Sequence, residues 1–121
     1  MNTIPDKALG RELYFYEAKL VKVVDGDTLK LSVDLGFRIT FVDNFRLIRI
    51  NTPEIRGPER PQGLISKDYV INLFKQAEIN GDKIYINSFK HGKYRWLADV
   101  WIGELNLNDH LIEAGMAEEY R

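Results

Sequence analysis

The fold turns on Leu29-Lys30-Leu31-Ser32-Val33-Asp34-Leu35, where apolar and polar residues alternate without a break. Successive side chains of a strand point to opposite faces, so Leu29, Leu31, Val33 and Leu35 share one face and Lys30, Ser32 and Asp34 the other. Gly36 makes the return, and Phe37, Ile39 and Phe41 continue the alternation against Arg38 and Thr40. Val42-Asp43-Asn44 interrupts it, which predicts a bulge or tight turn before the strand resumes at Phe45. On the N-terminal side, Leu13 to Val24 is rich in aromatic and β-branched residues and predicts a first strand. The turn-forming Asp25-Gly26-Asp27 joins it to the second. Residues 1–11 lack periodicity and read as a loose arm, leaving 12–121 as the domain.

Toward the C-terminus, Pro53, Gly57, Pro58 and Pro61 are expected to preclude regular structure between Asn51 and Pro61. Ser66, Tyr69, Val70, Leu73, Phe74 and Ala77 then recur at helical spacing, predicting a helix from about Gln62 to Glu78 that ends at Asn80-Gly81. A strand over Lys83–Phe89, a turn over Lys90–Lys93 and a strand over Tyr94–Ile102 follow, the last with Trp96, Ala98, Val100 and Ile102 on one face. Asn106 is placed to cap a short helix, Leu107 to Ala114, with Gly115 as its C′ residue. Too little chain remains after Met116 for another substantial element. Three strands, a helix, two strands and a helix fit a mainly β protein with helices (α+β), a five-stranded Greek-key barrel of OB type. Such barrels commonly present one face to oligonucleotides.

At 121 residues the chain is read as one domain. Without cysteine, disulfides, zinc–thiolate sites and cysteine nucleophiles are excluded. His91 and His110 have no ligand partner at helical spacing and read as solvated polar residues. Met1 to Gly10 contains no apolar signal core, and no run approaches the ~18 apolar residues of a membrane span. The expectation is a soluble monomer, cytoplasmic as encoded and without a membrane partner, export by a route lacking a signal being left open. A net charge of −1 gives no general case for binding nucleic acid. Residues 104–121 hold five carboxylates against one arginine, so a phosphate-binding surface is expected away from that tail.

The stretch Phe45-Arg46-Leu47-Ile48-Arg49-Ile50-Asn51-Thr52-Pro53-Glu54 begins as a strand carrying two arginines and ends in a turn offering an amide, a hydroxyl and a carboxylate. Metal-assisted attack of water on phosphate needs that combination, because phosphate charge must be neutralised while water is activated. Asp25-Gly26-Asp27-Thr28 alone is an ordinary turn; with Asn51, Thr52 and Glu54 nearby it becomes a candidate site for a hard cation. Arg46 and Asn51 lie five positions apart, so both reach one site only if the strand twists or ends near Ile50. Pro53 favours such an ending. Arg49 shares parity with Phe45 and Leu47, and so either leaves the core face at a rim or pairs with a carboxylate. Arg49, Arg56 and Arg60, offset by Glu59, form either a solvated loop or a track for a nucleic-acid backbone. The helix stripe, Trp96 and Trp101 read as packing.

Four segments, Asp25-Gly26-Asp27-Thr28, Arg46 to Glu54, Tyr94-Arg95-Trp96-Leu97-Ala98 and Leu107 to Ala117, resemble the successive signatures of the staphylococcal nuclease (thermonuclease) family, in the family's order. The resemblance implies an OB-type barrel with helices and calcium-dependent hydrolysis of DNA and/or RNA phosphodiesters with little sequence specificity. It makes Asp27 a direct calcium ligand with Asp25 behind it, and Thr52 a ligand through its backbone carbonyl. Glu54 becomes the carboxylate that activates water, while Arg46 and Arg95 grip the phosphate and stabilise its transition state. Products would carry 3′-phosphate and 5′-hydroxyl ends. The departure is Asn51, where the best-known members have a second calcium-binding aspartate. An amide carbonyl still serves calcium, but with one negative charge fewer, which implies weaker binding. Tyr94 adjoins Arg95 directly, whereas members commonly have a glycine between them. Lys93, Tyr94 and Arg49 are candidate substrate contacts. The alternative is a non-catalytic nucleic-acid or protein-binding module on the same barrel. Such modules lose several charged positions together, and the presence of Asp27, Arg46, Glu54 and Arg95 favours the enzyme.

Overall fold

Five strands close into a barrel in the computed structural model, which describes residues 14–90 and 96–120. The expected arm over residues 1–11 lies outside that range. The elements are β1 (Phe15–Asp25), β2 (Thr28–Asp34), β3 (Thr40–Leu47), β4 (Ile50–Asn51), α1 (Arg60–Asn80), β5 (Ile84–Lys90), β6 (Trp96–Ile102), β7 (Leu105–Asn106), α2 (Leu107–Glu113) and β8 (Glu118–Glu119). The sheet runs β3-β2-β1-β5-β6, and a parallel pairing from Phe45↔Trp96 to Leu47↔Ala98 joins β6 back to β3. This is the OB-type barrel expected, with α1 between its third and fourth strands and α2 after its fifth. Leu29, Leu31, Leu47, Ile50, Ile86, Val100, Leu107 and Leu111 are fully enclosed and define the core.

The bulge expected at Val42-Asp43-Asn44 is absent, for the β2–β3 ladder is continuous from Asp34↔Thr40 to Thr28↔Arg46. Asp43 keeps the parity of Phe41 and Phe45 but lies exposed, where a carboxylate costs little. The irregularities that bend the barrel lie in β1, between Leu20 and Lys22 and between Val23 and Asp25. They let β1 pair with β5 over Phe15–Ala18 and with β2 from Ala18 onward. Phe37 does not extend β3 either. Gly36, Phe37 and Arg38 all have positive φ (83°, 55° and 63°) and form the hairpin loop, leaving Phe37 95% exposed.

A 3₁₀ turn at Gly57–Glu59 leads directly into α1, so regular structure starts before Pro61, contrary to expectation. Proline is at home there, because a first-turn N–H has no helical acceptor. Gly63, Ser66, Val70, Phe74 and Ala77 form the buried stripe, and Gly81, at φ 75°, ends the helix by donating to the carbonyls of Ala77 and Glu78. The Ser66 hydroxyl donates to Met116 O at 2.8 Å, tying α1 to the end of α2. Among the described residues no helix is long and apolar enough to cross a membrane.

Asn106 caps α2 as expected, its side chain accepting from Asp109 N. The next polar residue carries more: Asn108, with no exposed surface, accepts from Val100 N at 3.0 Å and donates to Ile48 O at 2.9 Å and Ala98 O at 3.2 Å. One amide thereby fastens α2, β6 and the turn after β3. Asn108→Ala is expected to destabilise the fold by about 2 kcal/mol, since it strands buried polar groups; urea unfolding with an unchanged m-value is the check. His110 departs from its reading as a solvated residue, because its Nε2 lies 2.8 Å from the Tyr69 hydroxyl with the two rings stacked. Trp101 is buried beside Tyr85 and Phe15, whereas Trp96 is only partly buried, at the start of β6.

Candidate active site

The two sequence segments singled out for chemistry meet at one end of the β2–β3 ladder. The register pairs Thr28 with Arg46, which sets Arg46 beside the Asp25–Thr28 turn, and Leu47 N donates to Asp27 O at 2.8 Å. Thr52 arrives from the other side and donates its N–H to Asp27 Oδ2 at 3.1 Å. Gly26 permits this contact, as a Cβ there would lie 2.9 Å from Thr52 Oγ1. Asp27 and Thr52 are both buried.

The parity difficulty between Arg46 and Asn51 is resolved by a turn. β3 stops at Leu47, Arg49 takes a left-handed conformation (φ 70°), and β4 restarts at Ile50 with its facing reset. Arg46 Nη2 consequently donates to Asn51 Oδ1 at 2.9 Å and sits 3.5 Å from Asp27 Oδ2. Arg49 is drawn elsewhere: its guanidinium spans Asp99 at 3.1 Å and Asp109 at 3.0 Å, so it joins β6 and α2 and does not line the pocket containing Arg46. Burial, the largest influence, would lower its pKa, but the two carboxylates outweigh this and raise it. Of the two alternatives its parity left open, pairing with carboxylate is the one realised.

Asp25, Asp27, Asp43, Arg46, Asn51 and Glu54 open onto a common pocket of about 400 Å³. Four carboxylates thus face one arginine. Burial first, and the neighbouring Asp27 carboxylate second, raise Asp25 from its ordinary 3.8 to about 6. At Asp27 burial again acts upward, but hydrogen bonds from the Asp25 carboxyl and Thr52 N–H, with the charge of Arg46, outweigh it and leave the group lowered. Asp27 therefore stays ionised while Asp25 holds its proton unusually high. Glu54 is positioned through its backbone: its N–H donates to Glu59 Oε1 at 3.1 Å, and the Arg60 guanidinium holds Ile55 O at 3.0 Å. Glu59 and Arg60 thus brace the loop, and Arg56 is exposed. Gly63 of α1 packs directly on this loop, where a Cβ would lie 2.8 Å from Pro53 O and closer still to Glu54 O.

The donor set suits a hard divalent cation, being all oxygen and crowded with negative charge. Of the three ligands expected from the sequence, Asp27 and Asn51 line the pocket, whereas Thr52 is buried behind it and is not among the lining residues. Among the described residues no three His, Cys, Asp or Glu side chains gather into a metal cluster, so any such ion would draw on neutral oxygens as well. Lys93, Tyr94 and Arg95 lie outside the described residues.

Three participants were missed in the sequence. Asp43 breaks an apolar face, and that break was its signal. Gly63 continues the buried stripe of α1 one turn upstream. Tyr120 had no local signal: β8 pairs Ile50 with Glu119 and Asn51 with Glu118, Tyr120 N donates to Arg49 O, and its ring lies 5.2 Å from the Arg46 guanidinium carbon. The acidic tail, expected away from phosphate, comes back to the site and delivers an aromatic ring there.

The model of the staphylococcal nuclease homologue family matches residues 44–121, which include Arg46, Asn51, Glu54 and the returning tail. The chain is also 30% identical over 102 residues to the thermonuclease of Staphylococcus hyicus, an alignment covering 82% of this chain and 56% of that protein. It therefore spans little more than half the length of that relative. With the barrel, the paired helices and the order of the motifs in agreement, the chain belongs to the staphylococcal nuclease homologue family.

Proposed function

We propose that the chain hydrolyses phosphodiester bonds of DNA and/or RNA with little sequence specificity, assisted by calcium. The observation that carries this reading is the convergence of Asp27, Arg46, Asn51 and Glu54 on one polar pocket from three separate segments. Arg46 offers a permanently charged fork to the phosphate, already oriented by Asn51 and Asp27. Glu54 accepts the proton of the attacking water, and Arg46 stabilises charge on the five-coordinate phosphorus as the bond to the leaving oxygen breaks. Asp27, Asn51 and Thr52 would hold calcium, whose chemistry when bound is to supply positive charge to phosphate and nucleophile. Arg95 is assigned a second phosphate contact from its motif, and departure of the 5′-oxygen would leave 3′-phosphate ends.

Incubation with single- and double-stranded DNA, first with calcium and then with chelator, tests the proposal. Calcium-dependent cleavage supports it; binding without turnover would assign the chain to the non-catalytic modules of this barrel. Asn51→Asp restores the missing charge and is expected to tighten calcium binding about tenfold, ligand charge being a main control of affinity. Equal affinities by calorimetric titration would contradict that role for Asn51.

A further inference from the structure

A second cavity, of about 240 Å³, opens at the mouth of the barrel beside the polar pocket, and Trp96 lines both. Its walls include Tyr14, Tyr16, Leu35, Phe41, Ser88 and Trp96, and none of its lining residues is charged. Phe41 is 38% exposed and meets Trp96 edge-to-face at 6.0 Å, and Tyr14 is 63% exposed. Apolar ring faces edged by a few hydroxyls and an indole N–H form the chemistry that receives a planar heterocycle with polar edges. β3 connects the two cavities, running from Phe41 through Asp43 to Arg46. A polynucleotide whose phosphate sat at Arg46 and whose chain ran along β3 past Trp96 would carry its bases toward this groove.

We infer that the Tyr14–Phe41–Trp96 groove is a base-binding subsite, taking an unpaired nucleobase next to the phosphodiester held at Arg46. This rests on the nuclease reading for the position of the phosphate. Continuity through Trp96 singles out a nucleobase among possible apolar occupants, because only a ligand already held in the polar pocket spans both. A base inside a duplex has its faces covered by stacking, so the groove takes bases from single strands or frayed ends.

The test compares kcat/KM, with calcium, for an oligothymidylate and for an oligonucleotide of equal length whose sugars lack bases. The wild-type chain is expected to favour the base-bearing strand by about tenfold, the scale of one stacked base. Phe41→Ala should reduce that preference to near unity while leaving the rate on the abasic strand unchanged. Phe41→Leu, which keeps apolar volume and removes the ring, should do the same and guards against misfolding. Binding of the oligothymidylate in chelator, read by tryptophan fluorescence, separates the two readings. If neither strand is cleaved but binding quenches fluorescence and Phe41→Leu abolishes the quench, the subsite stands and the nuclease reading fails. Cleavage without base preference, a preference unaffected at Phe41, or self-association through this face that Phe41→Leu abolishes would each overturn the subsite.

Discussion

Glu54→Gln is expected to lower kcat on DNA by about 10²–10⁴-fold, the range that a positioned general base contributes. The substitution keeps size and hydrogen-bonding reach but removes the basic oxygen. Glu54 lines the pocket with Arg46 and Asp27, and its main chain, held by Glu59 and packed against Gly63, is unaffected by the exchange. Calcium affinity and KM should therefore change far less than kcat, the signature of a group acting in the transition state. A parallel rise in KM with little loss of kcat would instead make Glu54 a binding residue. Stopped-time assays with saturating substrate, alongside calorimetry, distinguish these outcomes.

Gly63→Ala is expected to cost about 100-fold in kcat although Gly63 touches no substrate. The added methyl would fall on the Pro53–Glu54 backbone, which cannot swing aside as a flexible side chain can. Either α1 lifts from the barrel or the loop carrying Glu54 moves, and a displacement of about 1 Å at a catalytic group is worth roughly that factor. Overpacking should also reduce stability by about 1–3 kcal/mol. An alanine variant with wild-type turnover would show that the loop adjusts freely and that the tight packing does not position Glu54.

The barrel could be read from the chain because its evidence is local. Period-two alternation in Leu29–Leu35 marks a strand with one buried face, and helical spacing from Ser66 to Ala77 marks the helix that covers the barrel. The bulges of β1 were misplaced to β3, because a polar residue on an apolar face looks like a phase shift until the ladder is traced through Asp43. Among the site candidates, Asp27, Arg46, Asn51 and Glu54, which the structure brings to one pocket, were recognisable by type and order. The turn that reconciles Arg46 with Asn51 was not, since it requires a left-handed arginine held by carboxylates 50 and 60 residues away. Tyr120 depends on pairing between β4 and β8, and Asn108 on three elements at once; neither partnership has a short-range pattern in the chain.

The most direct measurement is the rate of single-stranded DNA cleavage as a function of free calcium for the wild-type chain and for Asp27→Asn. Asp27 is the ionised, buried carboxylate on which Arg46 and Thr52 converge, so its charge should govern the response to the ion. The expected result is saturable activation of the wild type, no cleavage in chelator, and a requirement for at least tenfold more calcium in the variant. Cleavage that persists in chelator, or identical calcium curves for the two chains, would contradict a calcium-assisted phosphodiesterase centred on Asp27, Arg46 and Glu54.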